Sequence, residues 1–188
     1  GAIQARVYPA LVPLGHMLAK VDGVYNAVEV EGDLCGKVLF HGMGAGREPT
    51  TNAVVADVIE VARMMVSNSK ASSTPFPSPG AGTTPAAAGD LGALDIKSID
   101  DLMCKYYLRL NVADHPGILA QIARILGDGQ ISIASVLQKD VNETEQTAEI
   151  VITTHPAREA SVQASLRLMA DLEGVRTVNN LLRIEDEA

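Results

Sequence analysis

The chain has 188 residues, 47% hydrophobic and 20% charged, with a formal net charge of −8. That length suits one or two domains with a buried core, and the composition is too apolar for a disordered chain. Its acidity argues against a broad surface for nucleic acid or anionic lipid.

Gln4–Val12 reads as a first strand. Tyr25–Val30 and Lys37–His41 read as two more, turned into a hairpin around Glu31-Gly32-Asp33, on their β-branched and aromatic content and their bounding Gly and Asp. GMGAG follows at Gly42–Gly46. Asn52–Val66 then spaces Val54, Val55, Val58, Ile59, Ala62, Met65 and Val66 as a helix with a broad apolar face, with Thr50 or Thr51 as its N-cap. Asp57 and Glu60 fall on its solvent side. Ser67–Asp90 loses all apolar periodicity, and four of the nine prolines lie in it, so it reads as a linker. Residues 90–188 hold nine of the fifteen basic and sixteen of the twenty-three acidic residues, which places most of the negative charge in the second part.

Lys105–Ala113 alternates, with Tyr106, Leu108, Leu110 and Val112 on one face, as a half-buried strand does. Asp114-His115-Pro116-Gly117 stops it. Ile118, Leu119, Ile122, Ala123, Ile125 and Leu126 mark a helix ended at Gly127 and Gly129. Ile131–Lys139 and Gln146–Thr154 are strands, Pro156 opens a second helix, and Val175–Ile184 is the last strand. The order βαββαβ predicts a ferredoxin-like antiparallel sheet with both helices on one face. The fold class is therefore α+β: a partial mixed-sheet segment, a linker, and the βαββαβ module. Val136, Val151 and Leu181 are assigned to the sheet's other face, which predicts pairing with a second copy.

Few residues carry chemistry. Gly42, Gly44 and Gly46 stand between a strand and a helix, where backbone amides either form a tight turn or cradle an anion. The full dinucleotide fingerprint is missing. The Asp114–Gly117 loop hands a strand to a helix N-terminus and reads either as a capped turn or as a carboxylate-binding corner. His16, His41, His115 and His155 are scattered without metal-ligand spacing, so no metal site is expected. Cys35 and Cys104 read as small hydrophobes in a reducing cytoplasm. No run is long and apolar enough for a membrane span. The opening residues, without Met, read as the continuation of something longer.

YYLRLNVADHPGILAQIARIL followed by ISIASVLQ resembles the ACT domain, a βαββαβ module that binds amino acids in biosynthetic enzymes. RVYPALVP, LAKVDGVYNAVEVEGD and GMGAGREPTTNAVVADVIEVAR resemble the last segment of the catalytic region of homoserine dehydrogenase, which in one subfamily precedes a linker and an ACT domain. The resemblance divides the chain into 1–66, the end of the catalytic region; 67–95, the linker; and 96–188, the ACT domain. It implies an oxidoreductase interconverting L-homoserine and aspartate 4-semialdehyde, with NADP or NAD as cofactor in the full-length enzyme. Gly46, and after it Gly44 and Ala45, match the stretch near the nicotinamide cofactor. The nucleotide-binding domain and the catalytic lysine are missing, and neither Lys20 nor Lys37 matches that lysine, so the chain alone is expected to be inactive.

For the ACT part the resemblance implies an effector at the interface of paired domains. It would be held by Asp114, His115, Pro116, Gly117, Ile118 and Leu119, with backbone at Ile131–Ile133 nearby. Threonine leads as effector, its carboxylate on the Gly117 and Ile118 amides and its amino group on Asp114. The alternative is a non-catalytic amino-acid-sensing or dimerisation module. A third reading is an ACT pair that binds no ligand.

Overall fold

The structure, a computed structural model, describes residues 2–66, 95–142 and 144–185. In chain order the elements are β1 (Ala2–Ile3), β2 (Ala10–Leu11), β3 (Tyr25–Gly32), β4 (Gly36–Met43), α1 (Arg47–Val66), β5 (Asp95–Ile96), β6 (Met103–Ala113), α2 (Ile118–Asp128), β7 (Ile133–Asn142), β8 (Thr147–Thr154), β9 (Ala157–Arg158), α3 (Glu159–Ala170) and β10 (Val175–Ile184). The described residues through Pro13 gather with those from Asp95 onward into one unit, and those from Leu14 to Val66 form a second. The stretch read as a linker lies outside the described residues as far as residue 94.

In β6, Cys104, Tyr106, Leu108, Leu110 and Val112 are buried while the residues between them are only partly covered. This alternation follows from the two-residue period of a strand. The antiparallel core of the sheet runs β10-β6-β8-β7, with β2 added in parallel on β10. Ile118, Ile122 and Leu126 of α2 and Val162 and Met169 of α3 join the same core as the even-numbered β6 residues, so both helices cover one face. At roughly 1.5–3 kcal/mol for each large apolar side chain fully buried, this core stabilises the βαββαβ module. The predicted order and fold hold.

Four details differ from the sequence reading. The strand expected at Gln4–Val12 is reduced to β2, with β1 lying before it, because Pro9 has no N–H to continue a ladder. α1 starts at Arg47, five residues before Asn52, and Thr51 Oγ1 donates back to the Arg47 carbonyl at 2.7 Å instead of capping the helix. α3 starts at Glu159 instead of Pro156, because Ala157 and Arg158 first pair with Cys104 and Met103. Register also corrects the open face of the sheet: Leu181 pairs with Leu108 and packs on the core, and Val136 lies opposite Ile152, which leaves only Val151 of the three on the open side. That side mixes Tyr107, Leu137, Val151 and Leu182 with an Arg109–Glu149 ion pair and a Ser135–Thr153 hydroxyl bond at 2.6 Å.

In the second unit, β3 and β4 form an antiparallel hairpin from Tyr25↔Met43 to Gly32↔Gly36, with Gly36 at φ +66 completing the turn. α1 follows. Among the described residues of this unit no apolar side chain is buried; Val28, Phe40 and Val58 are each 63% exposed. The hairpin and helix thus have no apolar core of their own.

Candidate functional site

The turn from β6 to α2 is built on Gly117, whose φ of +98 lies in the left-handed region open chiefly to glycine. As N-cap of α2 it offers no side chain, so no side-chain cap engages the amides of the first helical turn. The Asp114 N–H is tied to the Gln146 carbonyl at 2.9 Å, and the Ala113 N–H to that of Gly174 at 2.8 Å, which fixes the loop to β8 and β10.

All six predicted effector residues, Asp114 to Leu119, line one cleft of about 440 Å³, with Val112, Ala148 and Ile150 as apolar wall and Gln138 at the β7 side. A second cleft of about 620 Å³ on the other side of the loop shares Asp114, His115 and Ile118 and adds Gln121, Glu145, Glu173 and Arg176. Ile118 is buried between them; Asp114, His115 and Gly117 are exposed. The arrangement offers backbone donors and the positive end of a helix dipole to a carboxylate, Asp114 to an ammonium group, and apolar wall to a side chain.

Residues 131–133 do not line the cleft. The Ile131 N–H donates to the Leu126 carbonyl at 2.9 Å and the Ser132 carbonyl accepts from His155 at 2.9 Å, so this backbone is already engaged. Gln138, seven residues beyond Ile131, takes the position instead. Sequence reasoning missed it, although it shares the parity of Val136 and so stands as a polar residue on an apolar face.

Of the three glycine-loop candidates, Gly46 lines a groove of about 560 Å³ with Arg47, Thr50, Thr51, Val54 and Val55 at the start of α1. Its φ is +124. Gly44 and Ala45 face the protein: both amides are donated to the Val24 carbonyl, at 2.9 and 3.3 Å, and a Cβ on Gly44 would stand 1.6 Å from Asn26 Nδ2. The groove brings Gly46 and Arg47 together at the N-terminus of a twenty-residue helix whose first turn also carries Glu48, with Val54 and Val55 as apolar wall.

A buried polar cluster lies away from both places. The Glu159 carboxylate, 3% exposed, accepts from Tyr106 Oη at 2.9 Å, Gln163 Nε2 at 2.8 Å, and Arg183 Nε and Nη2 at 2.8 and 2.6 Å. Burial pushes its pKa up, but these hydrogen bonds and the Arg183 charge outweigh burial and hold it below the usual value. Arg183 also lies over the Tyr8 ring, 4.3 Å from its centroid, and the Tyr8 hydroxyl donates to Glu185 at 2.5 Å. Burial and then that bond raise the Tyr8 phenol to about 12.

Among the described residues no group of three or more His, Cys, Asp or Glu could hold a metal, and no helix is long and apolar enough to cross a membrane.

Residues 1–59 match the family model of homoserine dehydrogenase, and residues 106–174 that of the ACT domain. Homoserine dehydrogenases of Pseudomonas aeruginosa and Neisseria gonorrhoeae are 37% and 38% identical over 97% of the chain, which covers 40% of either relative. The crystal structure of a homoserine dehydrogenase from Thiobacillus denitrificans aligns over 98% of the chain and 39% of its own, with TM-score 0.74 and 35% identity. The chain is thus similar to homoserine dehydrogenases over nearly its whole length. It spans about 40% of the length of these two curated relatives, both dehydrogenases by name. The ACT match runs from β6 through α3, stops just before β10, and takes in the whole 114–119 loop; the homoserine dehydrogenase match takes in the glycine loop and most of α1.

Proposed function

We propose that the chain is the C-terminal, regulatory part of an NAD(P)-dependent homoserine dehydrogenase that interconverts L-homoserine and aspartate 4-semialdehyde on the route to threonine and methionine. In this reading residues 1–66 end the catalytic region, 67–95 link, and 96–188 bind an amino-acid effector, with threonine as the first candidate. The observation that carries it is the gathering of Asp114 to Leu119 around one cleft at the N-terminus of α2. The cleft reaches Gln138 on β7, the free edge of the sheet, so a second copy paired on that edge would complete its wall. Homo-oligomerisation through the module follows from the same geometry.

Gly46 and Arg47 are the residues we assign to a nicotinamide cofactor, with Gly44 and Ala45 shaping the loop behind them. When bound, NADP or NAD exchanges a hydride with the substrate; the chain's own part is to hold a phosphate or pyrophosphate against the start of α1. A reducing cytoplasm suits the exposed Cys35 thiol.

The first test is thermal unfolding of the chain against the standard amino acids at millimolar concentration, since a ligand at about 100 times its Kd adds roughly 2.7 kcal/mol to the native state. A selective rise with threonine is expected. Gly117→Asp, which puts a side chain and a negative charge in the corner, should abolish it. A threonine shift unchanged in Gly117→Asp would move the site elsewhere, and no shift in the full-length enzyme would leave a structural ACT pair. Absence of homoserine-dependent NAD(P) reduction in the full-length protein would exclude the catalytic assignment in favour of a sensing module.

A further inference from the structure

The first unit contains a segment from the start of the chain, held to the βαββαβ module by light contacts. β2 contributes two residue pairs, Ala10↔Arg183 and Leu11↔Ile184, and β1 two more, Ala2↔Asp95 and Ile3↔Ile96. Two module amides donate to this segment: Glu185 N–H to the Leu11 carbonyl and Lys97 N–H to that of Ile3, each at 2.9 Å. Val7 is fully exposed and Leu11 keeps 38% of its surface; of this segment Tyr8 alone packs on the core. An element with so few buried contacts opens at a small fraction of the module's global stability. The segment continues covalently at Leu14 into the second unit.

The Tyr8 contact rests on Arg183, and Arg183 is reached from the 114–119 cleft by two routes. The first is β10. A Cβ on Gly174, just before β10, would stand 2.0 Å from Ile118 Cδ1, so the strand's entry is moulded on the side chain that divides the two clefts. β10 then passes two register irregularities, at Val175/Thr177 and Val178/Asn180, where its ladder can give, and ends beside Arg183. The second is helical. A Cβ on Gly129, at the end of α2, would stand 2.6 Å from Ser165 Oγ of α3, and the first turn of α3 supplies Glu159, the carboxylate that grips the guanidinium.

We propose that residues 2–13 are a strap whose docking on β10 responds to the state of the 114–119 cleft, with Arg183 the positioning residue that carries the response. A ligand seated against Ile118 and the first turn of α2 displaces the entry of β10 and the α2–α3 contact, and either shift re-aims the Arg183 guanidinium that lies over the Tyr8 ring. The regulatory sense of this device rests on the reading of the cleft as an amino-acid site.

The test is amide exchange in the 188-residue chain, read at Glu185 and Lys97 for the strap, at Gln121, whose N–H donates to the Gly117 carbonyl at 3.1 Å, for the cleft, and at Leu108 and Leu110 for the sheet. The perturbations are millimolar L-threonine and, without ligand, Gly174→Ala, which forces Ile118 to move. We expect exchange at Glu185 to change about threefold or more with either, while Leu108 and Leu110 stay protected. Arg183→Lys keeps a charge over Tyr8 but loses the planar fork on Glu159. It should leave the strap docked and silence the response, which a merely structural arginine would not do. Tyr8→Phe, which keeps the ring, should retain it.

A change at Gln121 with none at Glu185 under both perturbations overturns the proposal, as does a full response in Arg183→Lys. If threonine alters neither site while Gly174→Ala still moves Glu185 through Arg183, the strap stands and the amino-acid reading fails.

Discussion

Replacing Glu159 by alanine removes the acceptor of four hydrogen bonds at once. Two of the donors cannot turn to water freely: Tyr106 is wholly buried and the Arg183 side chain keeps 15% of its surface. Breaking a buried pair by deleting one partner costs about 3–5 kcal/mol, mostly for the charge left behind. Because Arg183 retains the Tyr8 ring and some access to water, the lower end applies, about 3 kcal/mol. For a module of this size that lowers Tm by about 12–24 °C, at roughly 4–8 °C per kcal/mol. The assay is urea unfolding of the chain followed by far-ultraviolet circular dichroism, where a slope of about 1.5 kcal/mol/M turns the loss into a midpoint some 2 M lower. Glu159→Leu combined with Arg183→Met removes both charges and should recover more than half the loss, since apolar replacements of a buried pair are often neutral. A loss under about 1 kcal/mol in Glu159→Ala would refute the buried-acceptor argument. So would single losses that simply add in the double variant.

Three further outcomes follow. The Glu159 carboxyl titrates below its ordinary value of 4.5 when folded, so its contribution is fully present above that value and is lost as pH falls through the folded value; an acid unfolding series should show Glu159→Gln with a flatter stability profile below about pH 5. Cys35 is exposed, while Cys104 is buried and burial pushes its thiol up, so maleimide at pH 7.5 should label Cys35 about tenfold faster or more, and equal rates would mean that β6 opens readily. In the full-length enzyme Gly46→Val places a β-branched residue at φ +124 beside the groove and should raise the cofactor KM about tenfold or more; wild-type cofactor kinetics would reduce Gly46 to a turn.

The module was legible because its strands alternate and its helices carry apolar residues at three- and four-residue spacing, signals local enough to survive without neighbours. The 114–119 loop was legible for a related reason: a Pro-Gly pair after a strand and before an apolar helix fixes where amides are left open. Gln138 and the Glu159–Arg183 pair were not. In each case a polar residue occupies an apolar position, Arg183 on the face of Leu181 and Tyr106, and the sequence gives no sign of what satisfies it. The strap was least legible, since Tyr8 meets a partner 177 residues away and its two short bridges leave no periodic trace. The early start of α1 was hidden by Pro49, which reads as a boundary yet is tolerated in a first helical turn.

The strap and the sheet it joins make one folded body of two separate stretches of sequence, with residues 14–92 leaving and returning as a single excursion. Closing such an excursion costs entropy only as the logarithm of its length. Adding or removing ten residues there changes the cost by about 0.1 kcal/mol. Insertions and deletions in the Pro- and Gly-rich stretch should therefore drift freely among relatives as far as this body is concerned, while the spacing from Tyr8 to Pro13 and from β10 to Glu185 stays fixed. A cut within that stretch would leave two pieces joined by β1, β2 and Tyr8, so the module can be tested as a complementing pair as readily as a single chain.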